Sequence, residues 1–315
     1  MPTRSRACVA EPLRLGLVGC GRIASAGYLP ALERAPSWRL AAVADPDPVR
    51  RGAVGASVPG FPGLEELLAA GVVDAVVVAS PPARHLADAT LASAAGVPAL
   101  VEKPPGLDLA EARALARLDP PPWLGLNRRF DGRWLGLERT LQQTVAKSLP
   151  LRLRLSFTTG AWHPHEPGAD ALLDLGVHLV DLALLLGGAA ASVRATELTD
   201  ARARLVLTLD RGEAELQLAH EQPYRESAEV TDASGRTIAG LHSGAFASRL
   251  RDRLRRAPDR PLPASLARQL EALAAAMRGD APARLATAAD GLATMRVLDA
   301  ARRSAANGGA TVALD

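Results

Sequence analysis

Between Leu13 and Leu126 short apolar runs alternate with stretches of helical periodicity, and this alternation restricts the fold more than any other feature of the chain. The runs Leu13 to Val18, Leu40 to Ala44, Ala75 to Ala79, Ala99 to Glu102 and Trp123 to Leu126 read as strands of a parallel sheet. The intervening stretches Arg22 to Ala35, Leu64 to Ala70, Arg84 to Ala95 and Leu109 to Leu118 predict helices. Asp108 is placed to cap the last of these, with Glu111 three residues on, and the Pro120, Pro121, Pro122 run ends it. Repeated strand–helix units of this kind build an α/β domain with a doubly wound parallel sheet.

From Phe130 onward the rhythm changes. Leu151, Leu153, Leu155 and Phe157 alternate with Arg152, Arg154 and Ser156, as in a strand with one wet face. Further strands are predicted at Arg204 to Leu209, Glu213 to Ala219, Ser227 to Thr231 and Thr237 to Ala239, close enough in sequence for a mostly antiparallel, open-faced sheet. Helices are expected at Leu172 to Leu186, Pro263 to Met277 and Pro282 to Ala305. The division is thus residues 1–129 and an α+β domain of residues 130–315, whose C-terminal helices can pack back on the first. With 315 residues, 48% of them hydrophobic, the chain can bury two cores.

Several classes of protein are disfavoured. No apolar run is long enough to span a bilayer, and Met1 to Pro12 holds no apolar stretch of signal-peptide length, so a cytoplasmic location is expected. Two cysteines, Cys8 and Cys20, do not make a disulfide framework. The net charge is only +3, and the one dense basic run, Arg249 to Arg256, reads as a solvated helix face, so neither nucleic acid nor membrane is an expected partner.

Chemistry concentrates at three places. Gly19-Cys20-Gly21-Arg22-Ile23-Ala24 follows the first strand and opens a helix, as a G-x-G-x-x-A turn does beneath a dinucleotide pyrophosphate. Asp45, at the end of the second strand, is placed to accept hydrogen bonds from the adenosine ribose and to repel a 2′-phosphate, which favours NAD. Arg50 and Arg51 nearby could instead hold that phosphate, which keeps NADP open. Lys103 ends another strand, where ligands of open α/β sheets lie. Of 37 basic residues only Lys103 and Lys147 are lysine, so a lysine here is conspicuous; its compact ammonium suits proton transfer or oxyanion contact, although a surface lysine is the bland alternative. Helical spacing puts Asp174, His178 and Asp181 on one face, where a carboxylate can fix the imidazole tautomer of a general base; a histidine merely packed in the helix is the alternative.

Together these features resemble the glucose-fructose oxidoreductase, inositol dehydrogenase and rhizopine-catabolism family, Gfo/Idh/MocA. The likeness runs through Ser80-Pro81-Pro82 with His85, Glu102-Lys103-Pro104, the segment Gly125 to Phe130 and the segment Leu172 to Asp181, covering nearly the whole chain. It implies a Rossmann domain and an NAD(P)-dependent oxidoreductase acting on a secondary alcohol or ketone of a sugar, polyol or related small metabolite. It also implies catalytic roles for Lys103, Asp174 and His178. Ser80, Pro81, His85 and Glu102 would join Gly19, Gly21, Arg22, Ile23 and Asp45 around the cofactor, while Asn127, Arg129, Trp162 and His163 would line the substrate pocket. The resemblance further implies a cis Lys103–Pro104 bond and a homo-oligomer through the open C-terminal sheet. His163, His165 and Glu166 have the chemistry of metal ligands, but no third or fourth ligand stands at a supporting spacing, so no metal is expected. Few residues separate Gly240 from Pro263, a departure that leaves substrate class and oligomeric state open. Imine reduction, redox-assisted lyase or glycosidase chemistry, and a non-catalytic nicotinamide sensor are the alternatives.

Overall fold

The computed structural model describes residues 11–144, 150–160, 170–220, 222–244, 254, 260–280 and 284–314. Two sheets organise them. In the first, β1 (Leu13–Val18), β2 (Trp38–Ala44), β3 (Gly60–Phe61), β4 (Ala75–Val78), β5 (Ala99–Glu102) and β6 (Trp123–Gly125) run parallel in the order β3-β2-β1-β4-β5-β6. Strand order reverses direction about β1, which is the doubly wound arrangement, and crevices form beyond the carboxyl ends of strands where that happens. All four residues of β4 are buried, which explains its unbroken apolar spelling, and β5 is buried throughout as well, including its terminal Glu102.

In the second sheet, β7 (Leu151–Thr159), β8 (Ala190–Leu198), β9 (Arg202–Leu209), β10 (Gly212–His220), β11 (Arg225–Asp232) and β12 (Thr237–Ser243) lie in the order β12-β11-β7-β10-β9-β8. Every pairing is antiparallel except β7 with β10. Leu151, Leu153, Leu155 and Phe157 face the core and Arg152 and Arg154 face solvent, as their alternation predicts. The strand β8 has a weaker signal, because Ala190, Ala191 and Ser192 open it and Val193 and Ala195 alone are fully buried, with Ala190 and Leu198 packed at the edge of the core.

The C-terminal segments complete both layers. Two short strands, β13 (Ala286–Thr287) and β14 (Val312–Ala313), extend the first and second sheets respectively, each antiparallel to its neighbour. Among helices, α1 (Leu29–Leu32), α2 (Pro48–Val54), α3 (Leu64–Ala69), α4 (His85–Ala94) and α5 (Leu109–Ala116) accompany the first sheet, and α6 (Gly132–Thr144) and α7 (Val177–Gly187) follow. The helix α8 (Pro261–Met277) returns to the first sheet, placing Leu266, Leu270 and Leu273 in one core with Leu15, Leu17 and Tyr28. Trp38 Nε1 donates to the Leu270 carbonyl at 2.7 Å across that joint. The last helix, α9 (Ala288–Ala306), starts behind a Thr287/Asp290 capping box and covers the inner face of the second sheet with α7.

Two helices start with a wide turn. Ala24–Tyr28 is π-helical just after the glycine turn, and Pro30, which has no N–H, removes the hydrogen bond that would hold an α-helical pitch there. Leu172–Gly176 is likewise π-helical before α7. Both wide turns adjoin candidate site residues.

Candidate active site

The glycine turn is built as its sequence predicts. Gly19 has φ of +89°, and a Cβ there would lie 2.5 Å from the Ala79 carbonyl oxygen, so only glycine fits between β1 and β4. A Cβ on Gly21 would meet no protein atom within 4 Å, so packing does not require glycine there. Arg22 and Ile23 open the following helix, with Arg22 exposed and Ile23 packed on the first core.

Asp45 stands at the end of β2 with its carboxylate turned into this turn. Its Oδ2 accepts from the Cys20 amide at 2.8 Å and its Oδ1 from the Asp47 amide at 2.9 Å. Arg51 donates to the Asp45 carbonyl and Arg50 pairs with Asp47, so both arginines gather at this edge. Burial, with Asp45 adding, pushes the Cys20 thiol up to about 11, so Cys20 is a neutral packing residue.

Beyond the carboxyl end of β5, Lys103 meets residues from the second domain. Its Nζ donates to Asp174 Oδ1 at 2.6 Å and to the Asp174 carbonyl at 3.3 Å. His220, the last residue of β10, lies with Nε2 3.2 Å from Asp174 Oδ2; an ionised carboxylate only accepts, so Nε2 carries the proton. Burial alone would raise the Asp174 carboxyl, but Lys103 and the His220 hydrogen bond outweigh it and hold it well below the usual carboxylate range.

His178 sits one turn further, buried, with its ring 6.3 Å from that of Phe157. Its Nδ1 has no hydrogen-bond partner among the described residues. Burial lowers its basicity first, and the cations Lys103 and Arg128 lower it further, against the opposing pull of Asp174. The imidazole is therefore neutral at pH 7 and able to take a proton. For an enzyme using it as base, the acid limb of kcat/KM in the oxidative direction is expected below the ordinary histidine value of about 6.5, because only the neutral ring accepts a proton and its folded value is depressed. A pH profile with the limb above that value would contradict this.

Several expectations need correction. Asp174 hydrogen-bonds Lys103 and His220 and not His178, because the π-helical turn Leu172–Gly176 breaks the four-residue periodicity that would put both on one face. Asp181 is engaged by Arg129, whose Nε and Nη2 reach its carboxylate at 2.9 and 2.6 Å. Arg129, expected in the substrate pocket, is thus a buried tie that also reaches Asp290 at 3.4 Å. Asn127 donates to Ser265 Oγ at 3.0 Å and faces α8.

Three expected cofactor contacts act as supports. The Ser80 hydroxyl donates to buried Asp88 at 2.6 Å. The His85 ring nitrogens lie 2.8 Å from the Pro104 carbonyl and 3.0 Å from the Ser80 carbonyl, bracing the loop after β5 against the loop after β4, with Pro81 exposed beside them. Burial holds His85 below its ordinary value. Glu102 accepts from Tyr28 at 2.6 Å and from the Lys103 amide at 3.1 Å. Burial pushes the Glu102 carboxyl up, while the Tyr28 hydroxyl and Lys103 counter it. The Lys103–Pro104 bond is cis, as expected, and so is Asp119–Pro120.

Trp162, His163, His165 and Glu166 lie outside the described residues, so the pocket wall and the metal reading drawn from them have no structural account. Among the described residues no group of three or more His, Cys, Asp or Glu side chains could hold a metal ion, and no helix is long and apolar enough to cross a membrane. His220 and Arg128 join the site unforeseen: one is a single histidine at the end of an alternating strand, the other half of an Arg-Arg pair whose more buried member drew attention.

A glycine turn after β1, an acid after β2 and a lysine after β5 define a dinucleotide-binding α/β domain, here facing a second sheet domain. Residues 13–119 match the model of the Gfo/Idh/MocA oxidoreductase family with the NAD-binding Rossmann fold, so the first domain is similar to that family. Among curated relatives, UDP-N-acetylglucosamine 3-dehydrogenase of Acidithiobacillus ferrooxidans is 34% identical over 179 residues, 56% of this chain and 55% of the relative. Galactose 1-dehydrogenase of Pseudomonas fluorescens is 41% identical over 103 residues, 32% of each chain. The chain thus spans 32% and 55% of the length of these two relatives. The structure of scyllo-inositol dehydrogenase from Lactobacillus casei, with bound NAD(H) and scyllo-inositol, shares the fold over 96% of this chain and 99% of that one, at a TM-score of 0.76 and 18% identity.

Proposed function

We propose that the protein is an NAD-dependent dehydrogenase that interconverts a secondary alcohol and a ketone on a sugar, polyol or related small metabolite. The observation that carries this reading is the convergence of Lys103, Asp174, His178 and His220 beyond the carboxyl end of β5, two strands from the glycine turn. The relatives that act on galactose, inositols and a UDP-sugar support the substrate class.

Gly19, Gly21 and the helix opened by Arg22 and Ile23 fit a pyrophosphate, and Asp45 fits the ribose through lone pairs beyond those used by Cys20 and Asp47. Bound NAD supplies the acceptor for hydride leaving the carbinol carbon. His178 would take the hydroxyl proton at a ring nitrogen, which leaves the hydride of the carbinol carbon for the acceptor that the bound cofactor would supply. Lys103, with two donors committed to Asp174, has a third for the substrate oxygen. Asp174 is the anchor that aims Lys103 and His220 rather than a tautomer guide for His178. Such acid–base help supplies about 10²- to 10⁴-fold, and positioning supplies more.

A screen of sugars, inositols and keto acids with both cofactors, followed by nicotinamide absorbance, tests the reading. Turnover with none of them while cofactor binds would favour a sensor. Asp45→Ser is expected to narrow or reverse a preference for NAD over NADP, since the charge opposing a 2′-phosphate disappears. Wild-type preference for NADP would shift the assignment to Arg50 and Arg51. We place the enzyme in the cytoplasm, where such cofactors are held. We assign it a homo-oligomer through the outer face of the second sheet, where Arg154 pairs with Glu215 and Glu229, and Arg204 with Glu197; sedimentation of the purified protein tests this.

A further inference from the structure

Near the start of β11, Glu226 is 1% exposed yet accepts hydrogen bonds from four side chains. Arg128 Nη1 reaches its two oxygens at 2.9 and 2.7 Å, Arg133 Nη2 at 2.8 Å, Trp134 Nε1 at 2.8 Å and the Tyr224 hydroxyl at 2.9 Å. Arg133 also closes on Asp131 with bonds of 2.9 and 2.6 Å, so two guanidinium groups balance two carboxylates in the cluster. Buried ion clusters are a poor source of stability compared with apolar packing of the same volume. What the cluster does achieve is placement. It holds the Arg128 guanidinium with its carbon 4.7 Å from the centroid of Phe157, whose ring is 6.3 Å from the His178 ring and edge-on to Tyr224 at 6.0 Å.

We infer that Arg128, clamped by Glu226 and stacked on Phe157, is a positioning residue that keeps His178 in its neutral, proton-accepting form. The inference rests on the reading of His178 as the proton acceptor. A fixed cation across one ring, in surroundings of low dielectric, opposes a second positive charge on the imidazole. Other groups bear on His178 as well. Lys103 at the end of β5 adds a second cation and Asp174 an opposing carboxylate, itself occupied by Lys103 and His220. Asp181, three residues on, is neutralised by Arg129. Glu226 and Tyr224 act from β11 and its lead-in through Arg128. Glu226 thus both places Arg128 and offsets part of its field, which gives the two residues opposite effects on His178.

The test is a pH titration of the His178 ring resonances by NMR in the full chain, assigned against His178→Gln, for the wild type, Arg128→Lys, Arg128→Gln and Glu226→Gln. Arg128→Gln is expected to raise the His178 midpoint, Arg128→Lys to leave it near wild type, and Glu226→Gln to lower it. A midpoint unchanged in Arg128→Gln, or moved as far in Arg128→Lys, would overturn the inference. If Glu226→Gln fails to fold, the two Arg128 variants still decide. The acid limb of kcat/KM, measured on the same proteins, separates the two claims: a midpoint that moves while the limb stays fixed upholds the tuning and removes His178 as the base.

Discussion

His178→Ala is expected to lower kcat by about 10²-fold or more while cofactor affinity stays close to wild type, because the substitution removes the proton acceptor and nothing that the glycine turn uses. Lys103→Arg is expected to do comparable damage. Guanidinium keeps the charge but is planar and broad, whereas the present ammonium fits a 2.6 Å bond to Asp174 with a donor to spare. Asp174→Asn should cost less if its part is to hold Lys103 and His220, since an amide retains one acceptor oxygen. Combining His178→Ala with Lys103→Arg should fall far short of the product of the single losses, as groups acting on one oxygen and its proton fail as a unit. Steady-state turnover with the best substrate, beside cofactor titration, reads all of these.

The second large effect is on stability. Arg129→Met leaves the Asp181 carboxylate buried without its cation, a change that costs about 3–5 kcal/mol in comparable buried pairs. Burial already pushes the Asp181 carboxyl up, and Arg129 is what counters it. A carboxyl whose folded value lies above its unfolded value is better tolerated when protonated, so the loss should be larger at pH 8 than at pH 5. Pairing Arg129→Met with Asp181→Asn should recover part of it. Urea unfolding of the variants at both pH values measures this, and a loss below about 1 kcal/mol would show that the pair is not a tie between the segment after β6 and α7.

The parallel sheet was legible because strands buried on both faces leave little choice of residue, as β4 spells Ala-Val-Val-Val. The glycine turn and Lys103 were legible for related reasons: backbone geometry excludes other residues at Gly19, and lysine is rare in this chain. Partners were harder to read. Asp174 and His178 share a face only at 3.6 residues per turn, and a π-helical turn intervenes. Ser80, His85 and Glu102 were assigned to the right loops, yet their side chains turn to Asp88, Pro104 and Tyr28, a choice of rotamer that spacing does not encode. His220 and Glu226 come to the site through strand register across the second sheet, and no local sequence signal announces such a contact.

The most direct test of the account follows the hydride itself. A polyol or sugar deuterated at the reacting carbinol carbon is incubated with NAD and the wild-type protein, His178→Ala or Lys103→Arg, and the mass of the nicotinamide product is recorded over time. Wild-type protein is expected to deliver deuterium to the cofactor, and both variants to do so about 10²-fold more slowly while still binding it. Cofactor bound without any deuterium transfer, or transfer at the wild-type rate in both variants, would contradict it.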